Sequence, residues 1–194
     1  MSAATTPHQP VLYQESLDAL QPRDGGCYVD GTVGAGGHAA GILAASAPSG
    51  RLLGLDVDPQ ALTIAGQHLA EFGARATLVH ASYAHLAQQL AAIGWDQVDG
   101  ILLDLGASSM QFESAERGFA FSLDGPLDMR MDPGLAHSAA DLVNELSEQD
   151  LAEIIREYGE EPRARTIARR IIQERPIETR SEEHTSELQS PCNL

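Results

Sequence analysis

Tyr28-Val-Asp-Gly-Thr-Val-Gly-Ala-Gly-Gly-His38 reads as a short apolar strand that ends in an acid and breaks into a glycine-rich turn. The residues that follow read as a helix, so the unit is strand, loop and helix. Gly31, Gly34, Gly36 and Gly37 tolerate positive φ and let a ligand approach the backbone. Free N–H groups at the helix start favour an electron-rich ligand group, so a nucleotide-like molecule is the expected occupant.

Two patterns fit this turn. Gly34-Ala-Gly36-Gly-His-Ala39 matches the dinucleotide fingerprint G-x-G-x-x-G/A, in which a pyrophosphate sits on the helix N-terminus. Asp30-Gly-Thr-Val-Gly34-Ala-Gly36 resembles instead the acid-x-x-x-Gly-x-Gly pattern of S-adenosylmethionine-dependent methyltransferases, whose cofactor has no pyrophosphate to cradle. An acid at the strand end suits the second pattern better. A nicotinamide-dependent (NAD) oxidoreductase stays open as the alternative, as does a non-catalytic cofactor-binding module.

Working outward, the strands that follow repeat the design. Arg51-Leu-Leu-Gly-Leu-Asp56 is a second buried strand ending in an acid, and Asp56 falls 20 residues after Gly36, where nucleotide-binding α/β folds place a carboxylate for ribose hydroxyls. Asp58-Pro59 starts a helix to about Phe72 with Asp58 as N-cap, so Asp56 has a second reading as the turn residue before that cap. Ala76-Thr-Leu-Val-His80 is a third strand. Tyr83 follows at its C-terminal end, placed either to stack on a planar base or to pack in the core. After a helix from about residue 84 to 93, Val98-Asp-Gly-Ile-Leu-Leu-Asp104 is the fourth strand, apolar as burial on both faces requires.

Strand and helix alternate with short connections through all four strands, which predicts an α/β fold built on a doubly wound, Rossmann-like parallel sheet. Asp30, Asp56 and Asp104 then share the C-terminal edge of that sheet, where open α/β sheets bind ligands. A loose helical stripe of Leu12, Leu17 and Leu20 precedes the first strand. Residues 1–110 are expected to form the cofactor-binding core. Residues 111–179 are expected to form a loop over 113–133, of the kind that serves as a lid or binding element, followed by three helices. Ser138-Ala-Ala-Asp141 and Ser147-Glu-Gln-Asp150 resemble capping boxes, Tyr158-Gly159 reads as a helix stop, Pro162 opens the third helix, and Pro176 follows its end.

Composition sets the limits. A chain of 194 residues with 43% hydrophobic content can build one domain with a real core and an insertion. No apolar run is long enough to span a bilayer, and the N-terminus lacks the pattern of a secretory signal, so a cytoplasmic protein is expected. Cys27 in the first strand and Cys192 near the C-terminus support neither a disulfide framework nor a zinc site. A net charge of −16 argues against holding nucleic acid by non-specific phosphate contacts alone. All 12 basic residues are arginine, and six of them (Arg156, Arg163, Arg165, Arg169, Arg170 and Arg175) crowd one late helical stretch. That stretch is either a local RNA-facing surface or a solvated face paired with Glu157, Glu160, Glu161 and Glu174.

Four segments together carry a more specific resemblance: Asp30-Gly-Thr-Val-Gly-Ala-Gly-Gly-His38, Leu102-Leu-Asp-Leu-Gly-Ala-Ser-Ser109, Glu116-Arg-Gly-Phe119 and Asp124-Gly-Pro-Leu-Asp-Met-Arg-Met-Asp132. From about His8 to Thr179 the chain resembles the family of ribosomal RNA small subunit methyltransferase H. The resemblance implies methyl transfer from S-adenosyl-L-methionine to the N4 amino group of a cytosine in 16S ribosomal RNA of the small ribosomal subunit. Carried over by motif, it implies cofactor contacts at Gly36, Gly37, His38, Asp56, Tyr83, Asp104 and Gln111, with Asp56 on the ribose and Tyr83 where the family often has Phe. By the same analogy Asp104 is the candidate catalytic acceptor, or else holds the methionine end of the cofactor. The resemblance also implies that the helical insertion after the fourth strand, within residues 111–179, recognises the substrate, and a non-catalytic cofactor-binding module for ribosome assembly stays open beside the enzyme; no metal is implied. Arg180-Ser-Glu-Glu-His-Thr-Ser-Glu-Leu-Gln-Ser190 resembles a translated sequencing adapter, so residues 180–194 are expected to be non-native. On that reading the natural protein continues past Thr179 and this chain is not itself a competent enzyme.

Overall fold

The computed structural model describes residues 10–180. These residues divide into two compact units after Gly106, a boundary four residues before the one expected from sequence.

In the first unit the order is α1 (Tyr13–Leu20), β1 (Cys27–Asp30), α2 (Gly37–Ala45), β2 (Arg51–Asp56), α3 (Pro59–His68), β3 (Ala76–His80), α4 (Leu86–Ala92) and β4 (Gly100–Leu102). The four strands form one sheet in the order β3-β2-β1-β4, parallel throughout. The doubly wound topology expected from the alternation is the one observed. Side-chain alternation splits the core into two layers. Tyr28 and Leu52 face a layer built with Ile42, Leu43, Ala65 and Leu69, and Leu17 and Leu20 of α1 pack onto it. Val29, Leu53 and Leu55 face the other layer, with Leu86, Leu90, Ile93, Trp95 and Val98.

Two boundaries differ from expectation. The fourth strand was expected over residues 98–104 but spans Gly100–Leu102. At its start the Asp99 carboxylate accepts from Cys27 N at 2.8 Å, so a side chain takes the place of a ladder bond. At its end β1 turns away after Asp30, and Asp104 N donates to Thr32 Oγ1 at 2.7 Å instead of extending the ladder. The helix expected to reach Phe72 stops at His68 and continues as a 3₁₀ segment, Ala70–Arg75, broken by Gly73 at φ 55°. Pro59 and the Asp58 N-cap open α3 as expected, with Gln60 N donating to Asp58 Oδ1 at 3.0 Å.

The second unit contains α5 (Ser109–Glu113), α6 (Ala139–Glu145), α7 (Glu148–Gly159) and α8 (Ala164–Glu174). Short α5 was not foreseen, although Ser108-Ser-Met-Gln111 spells the capping box that starts it. Residues 113–133 are anchored rather than loose. Phe119 and Leu127 are buried, Asp128 pairs with Arg130 at 2.6 Å, and an Arg117 guanidinium N–H donates to Arg130 O at 2.8 Å. Ser138 forms a full capping box with Asp141, and Ser147 caps α7.

Helix α7 runs through Gly159, and Glu160 takes the left-handed conformation at φ 52° that Gly159 was expected to supply. Helix α8 starts at Ala164 rather than at Pro162. Arg180, the first residue of the segment expected to be non-native, is buried in this unit and donates from its backbone N–H to Gly125 O at 2.9 Å. The rest of that segment and Cys192 lie outside the described residues.

Candidate functional site

The glycine turn leaves β1 at Asp30. Gly31 N donates back to Leu102 O at 2.9 Å, and Val33 N to Leu55 O at 2.9 Å, so the turn lies across the ends of β2 and β4. Gly34 and Gly36 have φ of 52° and 85°, which other residues adopt only with strain. Gly36 is the N-cap of α2 and brings no capping side chain, so the N–H groups of the first turn of α2 are left for an outside acceptor. Gly37 has a packing reason as well: a Cβ there would lie 2.5 Å from Pro10 Cγ. At Gly31 a Cβ would lie 2.5 Å from Leu103 Cδ2 and 3.1 Å from Tyr83 Cβ, which places Tyr83 against the turn.

Asp56 takes the turn role read from sequence and makes a second bond that was not expected. Its Oδ1 accepts from Asp58 N at 2.9 Å, the turn role, and its Oδ2 accepts from Gly34 N at 2.8 Å, which ties the end of β2 to the glycine turn. A carboxylate has about four acceptor positions, so two such bonds leave capacity for ribose hydroxyls.

His38 is buried in the first turn of α2 with its ring stacked on Tyr13, centroids 5.9 Å apart. Its Nε2 lies 3.8 Å from Asp104 Oδ2, an ion-pair distance longer than a hydrogen bond, and its Nδ1 has no partner among the described residues. The Asp104 side chain is 59% exposed, open to an incoming group. Tyr83 is also half-exposed, at the start of a 3₁₀ turn capped by Ser82. Gly36, Gly37, His38, Asp56, Tyr83 and Asp104 thus gather around one turn in the first unit. Gln111 belongs to the second unit, where its Oε1 accepts from Ser108 N at 3.0 Å in the capping box.

Two residues at the site make contacts that sequence did not assign to them. Thr32 bridges the turn to Asp104 through its hydroxyl, and nothing in the pattern marks one hydroxyl in a glycine turn as a bridge. Thr32→Val, which keeps the shape, is expected to cost about 1 kcal/mol, read as a lower thermal midpoint, because it removes one partly exposed hydrogen bond. Asp30 was singled out as one of the edge acids but given no contact. It is 1% exposed, its Oδ1 accepts from Thr32 N at 3.2 Å, and its Oδ2 has no partner among the described residues. Burial, with the charges of Asp56 and Asp104 adding to it against the Thr32 bond, pushes its carboxyl up to about 7. No cluster of metal-ligating side chains occurs among the described residues.

A parallel sheet that carries a glycine turn and three carboxylates at its C-terminal edge defines a nucleotide-cofactor α/β protein. The chain belongs to the MraW methylase family, whose profile matches residues 5–191. It is 54% identical over 175 residues to the ribosomal RNA small subunit methyltransferase H of Geobacter sp. (strain M21), covering 89% of this chain and 56% of that protein. To the protein of the same name from Syntrophus aciditrophicus (strain SB) it is 56% identical over 168 residues, 87% of this chain and 53% of that one. The chain therefore spans about half the length of the curated relatives it matches. A solved O-methyltransferase from Bacillus cereus in complex with SAH superposes with a TM-score of 0.41 at 16% identity, over 90% of this chain and 70% of that one. These relatives give the nicotinamide-dependent alternative no support.

Proposed function

We propose that this chain forms the cofactor-binding part of an S-adenosylmethionine-dependent methyltransferase acting on the N4 amino group of a cytosine in 16S ribosomal RNA of the small subunit, in the bacterial cytoplasm. The observation that carries the reading is the set of acids around an uncapped glycine turn, in a chain of the MraW methylase family. A buried Asp30 carboxyl oxygen with no partner among the described residues and the open α2 N-terminus fit a ligand that carries both a hydrogen-bond donor and an acceptor. On this reading Gly36, Gly37 and His38 contact the cofactor, Asp56 accepts from its ribose, Tyr83 lies beside its base, and Asp104 completes the set in the first unit. When bound, the cofactor supplies an electrophilic methyl on a sulfonium.

The cytosine N4 amine is a poor nucleophile because its lone pair is delocalised into the ring, so in-line placement supplies much of the rate. An N4 amine that gained the methyl would carry a positive charge and have a proton to give up, so the site needs an acceptor. Asp104, exposed and tied through its backbone to Thr32, is the acceptor we assign. The target base leaves its stack to reach it.

In the whole protein, Asp104→Asn is expected to lower kcat about 10²-fold or more while changing cofactor affinity less than tenfold. Equal losses in kcat and affinity, measured by methyl-transfer kinetics and calorimetric titration, would assign Asp104 to cofactor positioning alone. Unaltered turnover would remove it from the site.

A further inference from the structure

We infer that the cleft between α7 and α8 is a contact for the phosphate backbone of the RNA substrate. The inference rests on the reading that the substrate is ribosomal RNA, and it gives that substrate a point of attachment in the second unit. The cleft has a volume of about 580 Å³ and is lined by Glu148, Gln149, Glu153, Arg156, Arg165 and Arg169 over a floor of Ala152.

Its charges are not spread evenly. Arg169 pairs with Glu148 at 3.3 Å, Arg170 pairs with Glu174 at 2.8 Å, and Arg175 is spent on the carbonyls of Val143 and Leu146. Arg156 and Arg165 have no acidic partner among the described residues, although the chain carries 28 acids to 12 arginines. Glu157, Glu160 and Glu161, close by in sequence, form no ion pair with them. The solvated-face reading, in which these arginines are paired off along the helices, therefore holds for Arg170 and fails for Arg156 and Arg165.

The placement also costs local stability. Arg165 stands in the first turn of α8, where a cation opposes the helix dipole, and four residues before Arg169, a like-charge spacing. Both penalties are relieved by an anion between the two helices. A guanidinium presents a planar fork of donors that matches a phosphate oxygen pair, and Arg156 of α7 and Arg165 of α8 both line the cleft. Glu153 on the same wall opposes that anion and keeps the contact weak.

The test is filter binding of the full chain to an in vitro transcript of bacterial 16S ribosomal RNA across a salt series, with S-adenosylmethionine titrated into the same preparations. Arg156→Glu/Arg165→Glu is expected to weaken RNA binding at least tenfold at low salt. It should also flatten the slope of log affinity against log salt by roughly 1.4, since each lost single-strand phosphate contact removes about 0.7. Glu153→Gln should tighten binding, a change of opposite sign that general damage to the fold would not produce. Arg156→Gln/Arg165→Gln, which keeps side-chain length, should reproduce the weakening in smaller measure with an unchanged thermal midpoint. RNA affinity and salt slope unchanged in both double variants, or no RNA binding by the unsubstituted chain, would overturn the cleft assignment. Cofactor binding alongside either result would leave the methyltransferase reading standing, whereas absence of cofactor binding would count against that reading itself.

Discussion

Asp30→Asn is expected to raise the stability of this chain at pH 8 and to leave it little changed or slightly lowered at pH 5. A buried carboxyl held near 7 binds its proton more tightly in the folded chain than in the unfolded one, where the usual value is about 4. Below about pH 4 both states are protonated and nothing is lost. As pH rises from about 4 to 7 the unfolded state releases its proton first, so stability falls, and above 7 the loss is complete.

The full span corresponds to about 4 kcal/mol at about 1.4 kcal/mol per unit of pKa, and most of it falls between pH 5 and pH 8. Asn retains the acceptor for Thr32 N and carries no charge to bury, but it puts an amide where Oδ2 has no partner, at a cost of about 1–3 kcal/mol. That cost does not depend on pH. Denaturant midpoints of both proteins at pH 5 and pH 8 separate the two effects, because the difference between them should shift by about 2–3 kcal/mol in favour of the variant at the higher pH. A difference that stays constant would show that Asp30 does not titrate in this range.

The second large effect is expected at the free edge of the sheet. β4 pairs with β1 on one side and ends the sheet on the other. Val29 is paired in register with Ile101, yet the layer that covers Val29 does not extend over β4, and Ile101, Leu103 and Leu105 are 46%, 45% and 66% exposed. An apolar edge strand with unpaired backbone groups is a template for association. The 194-residue chain is expected to self-associate with rising concentration and to unfold with a broad transition. Ile101→Lys/Leu105→Lys removes two large apolar groups from the edge and should weaken self-association at least tenfold, since burying one such group stabilises a contact by about 1.5–3 kcal/mol. Light scattering behind size-exclusion chromatography reads both. A sharp transition and a concentration-independent monomer for the unsubstituted chain would contradict the expectation.

Much of the first unit was legible because its signals are local and concordant. Arg51-Leu-Leu-Gly-Leu-Asp56 is bounded by Gly50 and by an N-cap with proline, and its strand limits coincide with those observed. β4 was misjudged because its apolar residues continue past the point where β1 turns aside. Strand length there is decided by the partner and by the Asp99 and Thr32 side chains, none of which a periodicity can register. Glu160 took the left-handed position expected of Gly159 because α7 runs one residue further, and a sequence gives helix ends only to within a turn.

At the site, the glycines and edge acids were legible as a pattern, and their couplings were not. The bond from Gly34 N to Asp56 joins residues 22 apart, and the one from Asp104 N to Thr32 joins residues 72 apart, so both arise from the crossover topology. Asp30 could be read as an acid at a strand end. That it is buried with an unpartnered oxygen follows from the packing of β1 between β2 and β4.

The most direct test of the central claim is to incubate the whole protein with 16S ribosomal RNA and S-adenosylmethionine carrying a labelled methyl, then digest the RNA to nucleosides and identify the labelled product by mass spectrometry. N4-methylcytidine, formed with the cofactor and greatly reduced by Asp104→Asn, is the predicted result. Labelled methyl on another nucleoside, or no transfer while NAD binds at the glycine turn, would contradict it.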